Sequence, residues 1–215
     1  ECFEGGKGRA VTAYDFKFCF DKICEANSKN KGFWILRDQV LGAIEYYEST
    51  TYNEPIDGGV EGIVAIDDST LQITLNYPYG NFLNNLVTPY AYVYPQEAFD
   101  KYGVDMRTKC VGTGPFKMKE AIDDEAVILV KNNHYWAKDE SGKQLPYLDA
   151  VKFSFIKNKQ TEFLEFKQNN LDMVFELPLE SIDEILSMPD PPFQIQSIPS
   201  LGIFYLGFNH LYEPF

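Results

Sequence analysis

The chain has 215 residues, 45% hydrophobic and 24% charged, the composition of an ordinary globular protein with room for one large core or two small ones. Its formal net charge of −13 argues against a nucleic-acid partner and against docking on an anionic membrane, because both need a basic patch and the lysines here are scattered. No apolar run approaches the roughly 18 residues of a membrane-spanning helix.

In chain order, residues 1–10 read as a glycine-bearing loop, and Gly5-Gly6-Lys7-Gly8 lacks the Gly-Lys-Ser/Thr ending of a phosphate loop. Thr12 followed by Asp15 forms a capping-box pair that starts a helix, with Phe16, Cys19, Phe20 and Ile23 at helical spacing as its buried face. Residues 33–49 carry Leu36, Val40, Leu41 and Ile44 as a second helical stripe. Gly62–Ile66 and the alternating Leu71, Ile73 and Leu75 predict a hairpin turning at Asp67-Asp68-Ser69, where the carboxylates serve turn chemistry rather than catalysis. Short helices follow at 80–88 and through Phe99–Tyr102, then strands at 115–120 and 126–132 around Asp123-Asp124-Glu125.

Residues 136–147 are loop-like, and Val151, Phe153 and Phe155 alternate as a strand. Thr161 is expected to cap a helix bearing Phe163, Leu164 and Phe166. Met173–Phe175 is expected to be a short strand, 179–187 a helix, and Phe193–Ile198 and Ile203–Phe208 the final strands. The order of elements is mixed α/β (α+β) in two units, with a boundary near 104–111.

No chemistry-bearing constellation appears. Cys2, Cys19, Cys24 and Cys110 have no metal-ligand spacing with His134 or His210, and no HExxH or Gly-x-Ser-x-Gly is present. Neither a metal site nor a cofactor is expected. Cys19 and Cys24 sit five apart in one expected helix, poor geometry for a mutual disulfide, so mostly free thiols are expected, with a bridge from Cys2 or Cys110 left open. An acidic hydrolase would need two carboxylates facing each other across a cleft, and nothing in the sequence places such a pair.

Several phrases together resemble the extracytoplasmic solute-binding proteins of family 5, the peptide- and nickel-binding group. They are Val11-Thr12-Ala13-Tyr14-Asp15-Phe16, Val64 to Leu71, Pro95-Gln96-Glu97-Ala98, Val111-Gly112-Thr113-Gly114-Pro115-Phe116, Asn132 with Tyr135-Trp136, Tyr147-Leu148-Asp149, Asn170-Leu171-Asp172, and Tyr205 to Asn209 with Pro214-Phe215. Their order along essentially the whole chain carries the resemblance. Lys109-Cys110 and Asn133 depart from it, standing where His-Pro and Pro are common.

The resemblance implies part of a periplasmic-binding-protein-like II (cluster C) fold: residues 1–108 as a small extra domain and 109–215 as part of the first lobe. Family members are longer at both ends, so the chain is expected to be a fragment without the second lobe. It further implies a binding protein rather than an enzyme, taking peptides or a related small solute to a membrane ABC permease. Such a protein is expected outside the cytoplasm, lipid-anchored or free, and as a monomer. The alternative is a ligand-sensing domain of the same fold in a regulatory protein. Within that frame, Phe33, Trp34, Gly112, Thr113, Phe204, Tyr205 and Asn209 are the candidate ligand contacts, a mix of aromatic wall and accessible polar groups. His210 is the first histidine to test should the solute be a metal chelate.

Overall fold

The computed structural model describes residues 2–27, 29–199, 202–209 and 211. Tertiary contacts group the chain into two compact units, Glu1–Phe155 and Ile156–Phe215.

In the first unit, helix α1 (Ala13–Ile23) opens on the expected capping box, with the Asp15 carboxylate accepting the Thr12 amide at 2.8 Å. Ala13, Asp15, Cys19 and Phe20 are buried. Phe16 departs from the expected face: it is 38% exposed and meets Phe20 edge-on at the rim. Phe18 instead turns inward, T-shaped against Tyr94 and Phe99, so α1 is covered on two sides. The Cys19 thiol donates to the Tyr94 carbonyl at 3.2 Å. Cys24 closes the helix fully buried, and all four cysteines are free thiols. Burial pushes the Cys19 thiol up to about 11 and the Cys24 thiol to about 12.

The continuous helix expected over 33–49 is broken. Phe33–Ile35 forms one 3-10 turn, Val40 bridges to Leu75, and helix α2 (Ala43–Thr51) begins only after Gly42. Gly42 has φ +76, and a Cβ there would come within 2.8 Å of the Glu61 Cβ. The Leu41 amide donates to Thr74 and its carbonyl accepts from Gly62, at 3.0 and 2.8 Å. Cross-chain backbone pairing thus wins over helical periodicity at these residues.

Strands β1 (Ile63–Asp67) and β2 (Thr70–Ile73) form the expected antiparallel hairpin, with Asp67 accepting the Ser69 amide at 2.8 Å in the turn. Helix α3 (Phe82–Asn85) is shorter than expected, and buried Asn85 donates its side-chain amide to the Ile35 carbonyl at 3.0 Å. Helix α4 is Gln96–Tyr102. Ile35, Leu36, Val40, Val60 and Ile63 lie at the centre of the resulting core.

Arg9 clamps this core from outside. It reaches both Asp15 oxygens at 2.6 and 2.8 Å and both Glu97 oxygens at the same two distances. Its guanidinium holds both carboxyls below their ordinary range, the larger influence being the hydrogen bonds themselves.

The same unit carries an antiparallel sheet ordered β3 (Phe116–Ile122), β4 (Ala126–Lys131) and β5 (Ala150–Ser154), with Phe116 opposite Lys131 and Val130 opposite Ala150. All three match the expected strands.

In the second unit, helix α5 (Lys159–Lys167) is capped by Asn158, not Thr161: the Asn158 side chain accepts the Thr161 amide at 2.9 Å, which puts Thr161 in the first turn. Helix α6 spans Leu179–Leu186. Phe163 is buried against Phe166 and Phe193, and the α6 residue Ile185 is also buried. Gln160 of α5 donates to Glu180 of α6 at 3.0 Å.

The strands expected at Met173–Phe175, Phe193–Ile198 and Ile203–Phe208 do not form. Their backbones pair with no neighbouring strand among the described residues, and alternation alone supplies no hydrogen-bond partner. Among the described residues no helix is long and apolar enough to cross a membrane.

Candidate functional site

The accessible aromatic surface of the first unit grows from the 3-10 turn at Phe33–Ile35. Consecutive side chains on so tight a turn diverge, and here Ile35 is fully buried while Phe33 and Trp34 find different neighbours. Trp34, 54% exposed, meets Tyr90 edge-on with ring centroids 6.3 Å apart. Tyr90 stands on a second 3-10 turn, Pro89–Ala91, and packs over Gly32, where a Cβ would sit 3.0 Å from the Tyr90 Cβ. The absent side chain at Gly32 therefore lets the two turns close on each other. Phe33 lies flat on Tyr47, with centroids 4.3 Å apart and 10° between planes.

Gly112 and Thr113 lie in an exposed, irregular stretch leading into β3. Asn132, buried at the end of β4, fixes that stretch. Its side-chain amide donates to the Gly114 carbonyl at 2.9 Å, its backbone amide to Pro115 at 2.8 Å, and its side-chain oxygen accepts the His134 amide at 3.1 Å. A Cβ at Gly112 would meet no atom within 4 Å, so its backbone is open to approach.

In the second unit, Phe204 and Tyr205 are both fully exposed, although alternation would turn one of them inward. Asn209 accepts the Leu211 amide at 3.1 Å through its side chain. His210, Pro214 and Phe215 lie outside the described residues.

Sequence reasoning missed Tyr90, which opens a Tyr- and Pro-rich stretch running to Pro95. It also missed Asn132 as the anchor of the glycine segment, and Tyr47 as the partner of Phe33. No group of three metal-ligating side chains gathers among the described residues. The Trp34–Tyr90 pair offers accessible aromatic rings, and the Gly112 segment offers open backbone.

The sequence matches the family model described as bacterial extracellular solute-binding proteins, family 5 Middle, over residues 6–215, and the chain belongs to that family. The dipeptide-binding protein DppE of Bacillus subtilis is 27% identical over 97% of this chain and 36% of its own length. The periplasmic oligopeptide-binding protein OppA of Salmonella typhimurium is 24% identical over 97% of the chain and 37% of its own. Among solved structures, the periplasmic oligopeptide-binding protein OppAIV of Borrelia burgdorferi superposes with a TM-score of 0.70 at 26% identity, covering 85% of this chain and 35% of that one. The fold is therefore a portion of the periplasmic oligopeptide-binding architecture, mixed α/β as expected, and the chain spans little more than a third of its relatives' length.

Proposed function

We propose that this chain is part of an extracytoplasmic solute-binding protein that captures peptides and passes them to a membrane ABC importer. The observation that carries the reading is the family match along nearly the whole chain, to relatives named for binding dipeptides and oligopeptides. The exposed Trp34–Tyr90 pair supports it, since amphipathic rings left in water without a covering group suit a wall against which an extended peptide lies. In this reading the protein acts by binding rather than as an enzyme. It works outside the cytoplasm as a monomer, with no nucleic-acid partner and no cofactor.

Residues 1–108 form the small extra domain and 109–215 part of the first lobe. The proposed solute contacts are Phe33, Trp34, Gly112 and Thr113, joined by Tyr90; Phe204, Tyr205 and Asn209 are each proposed as contacts in their own right.

The test is thermal denaturation of the full-length protein with pools of di- to pentapeptides. A ligand that binds only the native state raises the melting temperature. A shift with peptides that Trp34→Ala abolishes supports the reading. A folded protein that no peptide pool shifts counts against it.

A further inference from the structure

The stacked rings of Phe33 and Tyr47 line a groove of about 440 Å³, within the usual range for small-molecule sites. Ile44, Thr51 and Tyr52, the last 76% exposed, line it as well. Two opposite charges complete the lining: Arg37 from the turn after Phe33–Ile35 and Glu48 from α2. Among the described residues the Arg37 side chain has one long contact, 3.6 Å from Nε to Asp38, and it is 59% exposed, so its terminal nitrogens remain available. Glu48 makes no side-chain hydrogen bond or ion pair among the described residues.

From these features we infer a second binding site for an aromatic zwitterion, that is, a free aromatic amino acid. Its carboxylate pairs with Arg37, its ammonium with Glu48, and its ring lies against the Phe33–Tyr47 surface. The charge pattern selects this class. A polyanion would meet Glu48, a polycation would meet Arg37, and a purely apolar molecule would leave both charges without a partner. The site shares Phe33 with the proposed solute contacts but not the Trp34–Tyr90 pair, and it does not depend on the peptide-capture reading. An open groove gives a small ligand weak affinity, with Kd on the order of 1 mM.

Saturation-transfer-difference NMR on the full-length protein tests it, with L-phenylalanine as the probe and glycine, phenethylamine and 3-phenylpropionate as comparison ligands. The expected result is saturable transfer to L-phenylalanine, about tenfold weaker binding in Arg37→Gln and in Glu48→Gln, and retention in Trp34→Ala. Both charged residues are exposed, so neither variant threatens folding. Each comparison ligand, lacking the ring or one charge, should bind at least several-fold more weakly. No transfer to the wild type at 20-fold the expected Kd, on the order of 20 mM, overturns the inference. So does equal binding by the Arg37→Gln/Glu48→Gln double variant, or loss in Trp34→Ala alone, which would place the amino acid on the other aromatic face.

Discussion

Residues 18–94 and residues 193–209 carry apolar side chains of similar kind, yet the structure treats them oppositely. In the first stretch Ile35, Leu36, Val40 and Ile63 reach complete burial. In the second, Ile198, Ile203, Phe204 and Tyr205 each keep more than four-fifths of their surface in water, while Phe193 settles against the α5 rings. An apolar pattern is a capacity for burial, and it is realised only where another element supplies the opposing surface.

Truncation is the sharpest way to break this contrast. Leu36→Ala should cost about 2–5 kcal/mol, because it removes buried methyl groups and leaves a cavity. Ile203→Ala should stay within about 0.5 kcal/mol. Urea unfolding of both variants measures the gap, and equal losses would mean that the exposed segment is packed after all.

The backbone switch between the 3-10 turn and α2 comes next. Gly42→Ala combines positive φ with a close approach to Glu61 and should destabilise by about 1–3 kcal/mol, read from the same unfolding curves.

The Arg9 clamp gives a smaller loss with a pH signature. Arg9→Met leaves the Asp15 carboxylate, whose side chain is 5% exposed, without its cationic partner, at a cost of about 1–2 kcal/mol near pH 7. Because the folded pKa values of Asp15 and Glu97 are depressed, their contribution is present above the unfolded carboxylate value of about 4 and is lost as pH falls through the folded ones. The wild type should therefore lose more stability than Arg9→Met between pH 7 and pH 3, which urea midpoints at the two pH values will show.

Trp34→Ala should have a small effect on stability, about 1 kcal/mol or less, since it removes one edge-on contact at a half-exposed position. If the proposed function holds, it should nevertheless weaken peptide binding about tenfold or more, since the proposed stacking wall is lost while the core stays intact. Isothermal titration beside a melting curve separates the two effects.

Much of the fold was legible locally. The Thr12–Asp15 box, the turn at Asp67 and the strands of the β3–β4–β5 sheet are set by residues close in sequence: a cap three positions from its partner, an Asx turn, alternation between turn residues. The candidate site was legible only in part. Trp34 stood out as an aromatic in a plausible place, but its partner Tyr90 is 56 residues away and becomes its neighbour only because Gly32 lets two 3-10 turns approach.

The sequence by itself determined the family, the capping box of α1, the β1–β2 hairpin and the strands of the β3–β4–β5 sheet, because these rest on residue identity and short-range spacing. Tertiary structure alone decided that residues 33–51 break into a turn, a bridge and a helix, that Phe16 stays at the rim while Phe18 goes in, and that the last alternating segments form no strands. In each case the outcome depended on a hydrogen-bond partner or an apolar surface contributed by distant chain. No local pattern can supply such a partner.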